Sequence, residues 1–236
     1  MNEQQFVEKL KENGILVTNE QLKAFITYYH FLIEWNQKIN LTAITKQEEV
    51  FEKHFYDSIT PAFYLNFSHK QICDVGAGAG FPSIPLKILF PDLQLTIVDS
   101  LNKRIHFLNL LAEKLSLSNY HFIHDRAENF GQNLKYREKF DIVIARAVAK
   151  LSVLSEYCLP LTKIGGTFIA LKGNMLENEI KDAQNALEKL GGSIKNINSL
   201  ELPIEKSTRK IVVMKKNKST PKKFPRKAGT VTKNPL

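Results

Sequence analysis

Three glycines spaced two residues apart, within the run from Asp74 to Pro82, are the residues best suited to hold a ligand. Glycine lets the chain turn tightly and exposes bare backbone, so Gly76, Gly78 and Gly80 predict a loop that contacts a nucleotide-like molecule. Asp99 follows near the spacing at which a carboxylate accepts hydrogen bonds from a ribose. On its own Asp99 is also typical of a surface acid or a helix cap, but together these residues predict a nucleoside site.

The glycine spacing discriminates between nucleotides. A dinucleotide loop reads GxGxxG, whereas this loop reads GxGxG and continues directly into Phe81 and Pro82. None of the seven tyrosines is followed four residues later by lysine, as a short-chain dehydrogenase would require. The pattern therefore favours a nucleoside without a phosphate chain, and it resembles motif I of the class I S-adenosylmethionine-dependent methyltransferases.

From residue 71 onward, short apolar runs alternate with amphipathic segments, which predicts βαβ units and a mostly parallel sheet with helices on both faces. The predicted strands are Ile72 to Val75, Leu95 to Val98, His121 to Ile123, Asp141 to Ala145, Thr167 to Leu171 and Ile211 to Met214. The predicted helices are Ile84 to Phe90, Lys103 to Leu115, Lys150 to Leu159 and Leu176 to Leu190. A ligand site of such a sheet lies at the carboxyl ends of its strands.

The chain before this region predicts helices. Thr18 and Gln21 fit a capping box, apolar residues recur at helical spacing from Leu22 to Ile33, and a second helical run extends from about Gln47 to Ser58. We therefore expect an N-terminal helical region at 1–65, a Rossmann-like class I methyltransferase domain at 66–214 and a basic tail at 215–236.

The positive charge is concentrated at the C-terminal end. Ten of the 33 basic residues and no acid lie from Arg209 to Leu236, so the preceding 208 residues hold 23 basic and 24 acidic side chains. A polyanionic partner explains this asymmetry better than solubility does, and nucleic acid is the leading candidate, although a solvated tail is the alternative. The tail carries no cofactor motif, so its removal is expected to spare cofactor binding.

We expect Phe224 to stack on an unpaired base, because an aromatic ring in a basic, proline-rich stretch has no core to join. Trp35 and Phe31 could also stack on RNA, but aromatic residues on amphipathic helices favour the core. The expected RNA-binding residues are Lys222, Lys223, Phe224, Arg226 and Lys227.

Composition excludes several classes of protein. The longest stretches without charge have 12 residues, too few to span a bilayer, and Glu3, Glu8 and Glu12 exclude a secretory signal. We expect a cytoplasmic protein without a membrane partner, most simply a monomer. Cys73 and Cys158 are expected as reduced core residues, and the six histidines offer no metal site.

In the methyltransferase fold, residues after the third strand contact the adenine. Here Glu128 takes that place, with Asp125 as the competing acid or as a helix cap. Arg146 ends the fourth strand, where substrate and cofactor meet, and is the nearest candidate for a catalytic residue; an ion pair with a helix is its alternative.

The atom that accepts the methyl group is indicated by motifs that the sequence lacks. Enzymes that methylate exocyclic amines usually carry Asn-Pro-Pro-Tyr or Asp-Pro-Pro-Tyr after the fourth strand, but this chain has Arg146, Ala147 and Val148. Cytosine C5 enzymes need a cysteine nucleophile, and neither Cys73 nor Cys158 is placed for attack. A ring nitrogen remains, and guanine N7 has a free lone pair that needs no general base.

The whole pattern resembles the ribosomal RNA small-subunit methyltransferase G family, also called glucose-inhibited division protein B. The matching segments are Glu34 to Thr42, His54 to Ser58, Asp74 to Pro82, Val98 to Ser100, Asp125 to Glu128, Ala145 to Ala147, Leu171 to Gly173 and Thr220 to Lys227.

Membership implies N7 methylation of one guanine in 16S ribosomal RNA, on naked RNA, the small subunit or an assembly intermediate, with S-adenosylmethionine as the donor. The cofactor contacts that it implies are Gly76, Phe81, Ala127, Glu128 and Arg146.

Two alternatives remain open from the sequence. One is a methyltransferase acting on a small molecule or a protein, which would leave the basic tail unexplained. The other is a nucleic-acid-binding protein that has kept the fold without activity, against which the intact glycine and acid positions argue.

Overall fold

The structure, a computed structural model, describes residues 1–146, 149–173 and 177–236. Ala147 and Val148 of the predicted acceptor motif and Leu176 of a predicted helix therefore lie outside the described residues. The helices are α1 (Glu3–Glu12), α2 (Asn19–Ile39), α3 (Gln47–Glu49), α4 (Asp57–Ile59), α5 (Ser83–Leu89), α6 (Asn102–Lys114), α7 (Ala127–Gln132), α8 (Leu151–Cys158), α9 (Glu177–Leu190) and α10 (Thr230–Lys233).

The strands form one sheet in the order β3-β2-β1-β4-β5-β7-β6. Neighbouring strands from β1 to β5 pair in parallel, and β7 pairs antiparallel with both β5 and β6. The predicted, mostly parallel sheet is confirmed. Its strands are β1 (Gln71–Val75), β2 (Gln94–Asp99), β3 (Tyr120–His124), β4 (Phe140–Arg146), β5 (Thr162–Lys172), β6 (Gly192–Glu201) and β7 (Thr208–Lys216).

Alternate residues of the central strands face two hydrophobic cores, one on each side of the sheet. In β1, Ile72 belongs to the first core, while Cys73 and Val75 belong to the second. This alternation follows from the two-residue period of a strand. Cys73 and Cys158 are free and buried, as expected.

The N-terminal helices share the first core with the sheet. Thr18 and Gln21 form the predicted capping box at the start of α2. Tyr28 of α2 packs its ring on Phe81 with centroids 5.4 Å apart, and its hydroxyl donates to the carbonyl oxygen of Ala79. Segment 1–65 therefore supports the glycine loop directly.

The second helical run continues from α3 through a π-helix (Val50–Tyr56), α4 and a 3₁₀ turn (Thr60–Phe63). The π-helix carries His54 and leads directly into Asp57. π-helical turns are uncommon and often occur at functional sites.

The tail does not behave as a free basic arm. Phe224 is 5% exposed and joins the second core, so the expectation that it has no core to join is wrong. Lys216 is fully buried and donates to the carbonyl oxygen of Leu159 at 2.7 Å. Arg226 is paired with the buried Glu156 at 2.7 Å. Lys222, Lys223 and Lys227 are exposed.

Asp74 is a buried acid at the end of β1, directly before the glycine loop. Burial raises the pKa of its carboxyl to about 7, although the backbone N–H of Ser83 donates to its Oδ2 at 3.2 Å. Within the described residues, Asp74 Oδ1 has no hydrogen-bond partner. The carboxyl therefore holds its proton in the folded protein over a pH range in which the unfolded chain has lost it.

We expect Phe224→Ala to lower the free energy of unfolding by about 3 to 5 kcal/mol, since it removes a buried ring from a core. Urea unfolding followed by circular dichroism measures this change. Lys222→Ala, at an exposed position two residues before Phe224, is the control and should change stability by less than about 0.5 kcal/mol. A loss below about 1 kcal/mol for Phe224→Ala would contradict the burial of this ring.

Asp74→Asn should become more stable relative to wild type as the pH rises from about 4 to 7, and the difference should level off above pH 7. The reason is that the folded wild type resists losing its proton, while asparagine is always neutral. The slope of this difference cannot exceed about 1.4 kcal/mol per pH unit. Urea unfolding of both proteins at several pH values measures it.

Asp141→Asn is the matched control. Although burial opposes the effect, hydrogen bonds from Lys163 and from the backbone of Gln71 hold the pKa of the Asp141 carboxyl below its ordinary value. This substitution should therefore cost stability above the pKa of the unfolded carboxyl, the opposite sign to Asp74→Asn. A pH-independent difference for Asp74→Asn would refute the raised pKa.

Candidate active site

A cavity of about 390 Å³ opens at the carboxyl ends of β1, β2 and β3, and we call it the loop cavity. It contains four of the residues predicted for the cofactor: Gly76, Asp99, Ala127 and Glu128. Its lining is completed by Val75, Val98, Ser100, Arg104, Asp125, Arg126, Ala149, Tyr157, Gly229 and Thr232.

Asp99 organises one side of the loop cavity. Its carboxylate is 3% exposed and accepts hydrogen bonds from the backbone N–H of Gly78 at 3.1 Å and of Leu101 at 2.9 Å. Arg104 approaches the same carboxylate at 3.5 Å. A carboxylate has about four acceptor positions, so among the described residues it keeps capacity for a ligand hydroxyl. Asp99 therefore both shapes the loop and faces the cavity.

Glu128 also lines the loop cavity. Its carboxylate is buried and accepts from the Tyr157 hydroxyl at 3.5 Å and from the backbone N–H of Gly229 at 3.3 Å. Burial, with Glu128 nearby, raises the pKa of Tyr157 to about 12, which keeps the hydroxyl protonated as a donor. Asp125 also lines the cavity, but its Oδ1 accepts from the side chain of Asn129 at 3.1 Å.

The three glycines serve different purposes. Gly76 lines the loop cavity, and Gly78 donates its N–H to Asp99. Gly80 has φ +98°, and a Cβ there would lie 2.6 Å from Ile84 Cγ1 and 2.8 Å from the Tyr28 hydroxyl. Packing of helices against the loop therefore requires glycine at position 80, independently of the expected approach of a ligand.

Phe81 and Arg146 are not in the loop cavity. The Phe81 ring stacks on the His54 ring with centroids 4.5 Å apart, and the Arg146 guanidinium lies 5.0 Å from the Phe81 centroid. Arg146 lines a second cavity of about 320 Å³ at the ends of β4, β5 and β7, which we call the arginine cavity. Its other lining residues are Lys53, His54, Asp57, Thr60, Leu171, Lys172, Gly173, Arg209, Lys210 and Ile211.

Asp57 holds the two arginines of this cavity. Its Oδ2 accepts from Arg146 Nη1 at 2.8 Å and its Oδ1 from Arg209 Nε at 3.1 Å. The ion pair with a helical segment that was the alternative for Arg146 is therefore present, and it fixes the guanidinium at the cavity wall. Such a buried, charge-assisted pair defines orientation well.

His54 is neutral in this environment. Burial, together with the positive charge of Arg146, lowers the pKa of its imidazole to about 3. Nδ1 faces an Arg146 nitrogen at 3.4 Å, so we assign the ring proton to Nε2, which lies 2.7 Å from the Thr42 hydroxyl. The imidazole positions its neighbours and carries no charge into the cavity.

Sequence reasoning missed several of these residues. Asp57 and His54 fall in a segment that carried the family resemblance but had no chemical signal of its own. Arg209 lies 63 positions after Arg146, and Gly229 and Thr232 lie in the tail, where no motif indicated a cavity.

No grouping of three potential ligands for a metal ion is found among the residues of 1–146, 149–173 and 177–236. None of the helices within these ranges combines the length and the apolar character that crossing a bilayer requires.

Solved structures are similar in fold. TYW2 from M. jannaschii, in complex with AdoMet, superposes with a TM-score of 0.56 at 15% identity over 74% of this chain and 79% of that chain. A 16S rRNA (adenine(1408)-N(1))-methyltransferase from Catenulisporales acidiphilia, with SAM, gives 0.53 at 14% identity over 66% and 88%. These similarities confirm the class I methyltransferase fold.

Sequence comparison gives the family. The chain is 60% identical to the ribosomal RNA small subunit methyltransferase G of Macrococcus caseolyticus, over 100% of this chain and 99% of that protein. It is 59% identical to the protein of that name from Oceanobacillus iheyensis, over 100% of both. Residues 21–212 match the family described as rRNA small subunit methyltransferase G. The chain therefore belongs to the rRNA small subunit methyltransferase G family.

Proposed function

We propose that this chain transfers a methyl group from S-adenosylmethionine to N7 of one guanine of 16S ribosomal RNA. The observation that carries the proposal is the 60% identity, over the full chain, to a ribosomal RNA small subunit methyltransferase G. The substrate is 16S ribosomal RNA, either free or within the small subunit or an assembly intermediate. We propose that the protein acts as a monomer in the cytoplasm, where ribosomes are assembled.

The loop cavity suits the donor. Two buried carboxylates, Asp99 and Glu128, line this cavity and match a ribose diol and an adenine amino group, respectively. Val75, Val98 and Ala149 supply apolar surface for a base. S-adenosylmethionine supplies an activated methyl group on a sulfonium. We propose that Gly76, Asp99, Ala127 and Glu128 contact it, with Gly78 and Gly80 shaping the loop.

The arginine cavity suits the acceptor. We propose that the target guanosine enters it, with Arg146 orienting the base and Phe81 supporting the guanidinium from behind. Lys210 adds positive charge, which complements the phosphates of RNA. Lys53 is paired with Glu49 and Glu205, and Lys172 with Glu179, so these two lysines fix the cavity wall.

This chemistry demands little proton transfer. Guanine N7 carries a lone pair and attacks without losing a proton, so no general base is needed. The neutral His54 agrees with this requirement. Catalysis then rests on orientation, which contributes up to about 7 to 11 kcal/mol when two reactants are held in line.

The test of the proposal is methyl transfer itself. Purified protein and labelled S-adenosylmethionine, with free 16S RNA, assembly intermediates or small subunits from cells lacking the enzyme, should yield N7-methylguanine at one site in 16S RNA of at least one of these acceptors. Transfer to another atom, to protein or to no acceptor would refute the assignment.

Two variants test the roles of the two cavities separately, through the affinity for S-adenosylhomocysteine and through kcat/KM for RNA. Asp99→Ala should weaken S-adenosylhomocysteine binding, because it loses charge-assisted hydrogen bonds worth about 1.5 to 3 kcal/mol. Arg209→Gln should keep that affinity and lower kcat/KM for RNA, because Asp57 then loses one of its two guanidinium partners.

We propose that the exposed tail lysines contact phosphates. Replacing Lys222, Lys223 and Lys227 together by alanine should flatten the slope of log K against log salt by about 2 to 3 units, using about 0.7 to 0.9 per phosphate. RNA binding at several salt concentrations measures this. The control replaces three exposed lysines on α9 and β6, namely Lys181, Lys189 and Lys195. Equal slopes for the two triple variants would exclude a specific role of the tail.

A further inference from the structure

After β7 the chain does not leave the molecule, and we call residues 217–236 the C-terminal strap. Glu138 accepts hydrogen bonds from the backbone N–H of Thr220 at 2.7 Å and from the hydroxyl of Ser219 at 2.8 Å. Arg137 donates to the carbonyl oxygens of Phe224 at 2.7 Å and of Thr220 at 2.8 Å. The first part of the strap is therefore bound through its backbone and by the buried Phe224 ring.

A buried ion pair fixes the middle of the strap. Glu156 of α8 is fully buried and accepts from Arg226 three times: from its backbone N–H at 2.7 Å, from Nε at 2.9 Å and from Nη2 at 2.7 Å. An unpaired carboxylate in this position would be strongly unfavourable, so Glu156 holds Arg226 in one place. Pro225 packs closely on Gly131, where a Cβ would lie 2.8 Å from its ring.

The end of the strap reaches the loop cavity. Gly229, at φ +79°, donates its backbone N–H to Glu128 Oε1 at 3.3 Å, across 101 positions of sequence. Thr232 lines the same cavity, and Val231 between them is fully buried in the second core. The strap thus supplies both a wall of the cavity and a hydrogen bond to one of its two buried acids.

We infer that the C-terminal strap is a component of the cofactor site: residues 229–232 close the side of the cavity at Glu128, and the Arg226–Glu156 pair holds them there. The inference rests on the proposed function, since it concerns the adenine end of the bound nucleoside. It corrects the expectation that removing the tail spares cofactor binding. Gly229 and Thr232 are positioning residues for Glu128 and the ligand.

Docking of the strap and binding of the ligand are thermodynamically linked, so each affects the other equally. If the docked strap strengthens ligand binding, the bound ligand must stabilise the docked strap by the same factor. Lys227 and Lys233 are exposed on the strap, so their susceptibility to trypsin reports how often the strap leaves its place.

The first experiment measures the affinity of the full chain and its variants for S-adenosylhomocysteine and for adenosine by calorimetry. A chain ending at Ala228 and the variant Arg226→Gln should each bind both ligands about tenfold more weakly than wild type. Lys233→Ala is the control, since this side chain does not line the cavity, and it should bind as wild type does.

The measured affinities distinguish failure of this inference from failure of the proposed function. Unchanged affinities for both ligands in the truncated chain and in Arg226→Gln would overturn the inference and leave the proposed function standing. Weakening of S-adenosylhomocysteine alone would overturn the placement of the strap at the adenine end. A wild-type chain that binds neither ligand would overturn the proposed function together with the inference.

The second experiment uses the unaltered protein and does not depend on the folding of any variant. Saturating S-adenosylhomocysteine should slow trypsin cleavage after Lys227 and Lys233 by about tenfold. Cleavage after Lys206, in the exposed turn between β6 and β7, is the internal control and should slow less. Equal protection at all three lysines would mean general stabilisation, which would overturn a specific role of the strap.

Discussion

The position of the glycine loop after β1 is the constraint on which both cavities depend. Two contacts hold it from opposite sides: the Gly78 N–H donates to Asp99, and the Tyr28 hydroxyl donates to the carbonyl oxygen of Ala79. One contact comes from the sheet and the other from an N-terminal helix. The backbone of the loop is therefore held by contacts within the protein, and such preorganisation reduces the entropy that binding a ligand must overcome.

The same loop contributes to both cavities. Gly76 borders the loop cavity, whereas Phe81, five residues later, supports Arg146 in the arginine cavity. A movement of the loop would thus displace parts of both cavities together. For a displacement that depends on collinear groups, joining the two cavities through one short, rigid segment is an effective way to keep their relative position.

Sequence reasoning predicted the parallel strands, the glycine loop and the acids Asp99 and Glu128, because these depend on local patterns of period two, of turns and of strand ends. It missed β6, whose residues are largely exposed and polar and give no apolar run. It misjudged the tail because composition records charge but not partners: Arg226 meets Glu156 and Lys216 is buried. The partnership of Asp57 with Arg146 and Arg209 depends on tertiary packing, which no local pattern contains.

The π-helix at Val50–Tyr56 contains more residues per turn than the α-helices of the described residues do. A π-helical turn closes its hydrogen bond one residue further along the chain than an α-helical turn does, so it can lose one residue by changing to the α-helical form. Asp57 would then keep its place beside both arginines. The same deletion inside α2 would rotate all later residues of that helix by about 100° and turn its apolar face away from the core. The loss of one residue should therefore disturb the segment that carries His54 less than the helix that supports the glycine loop.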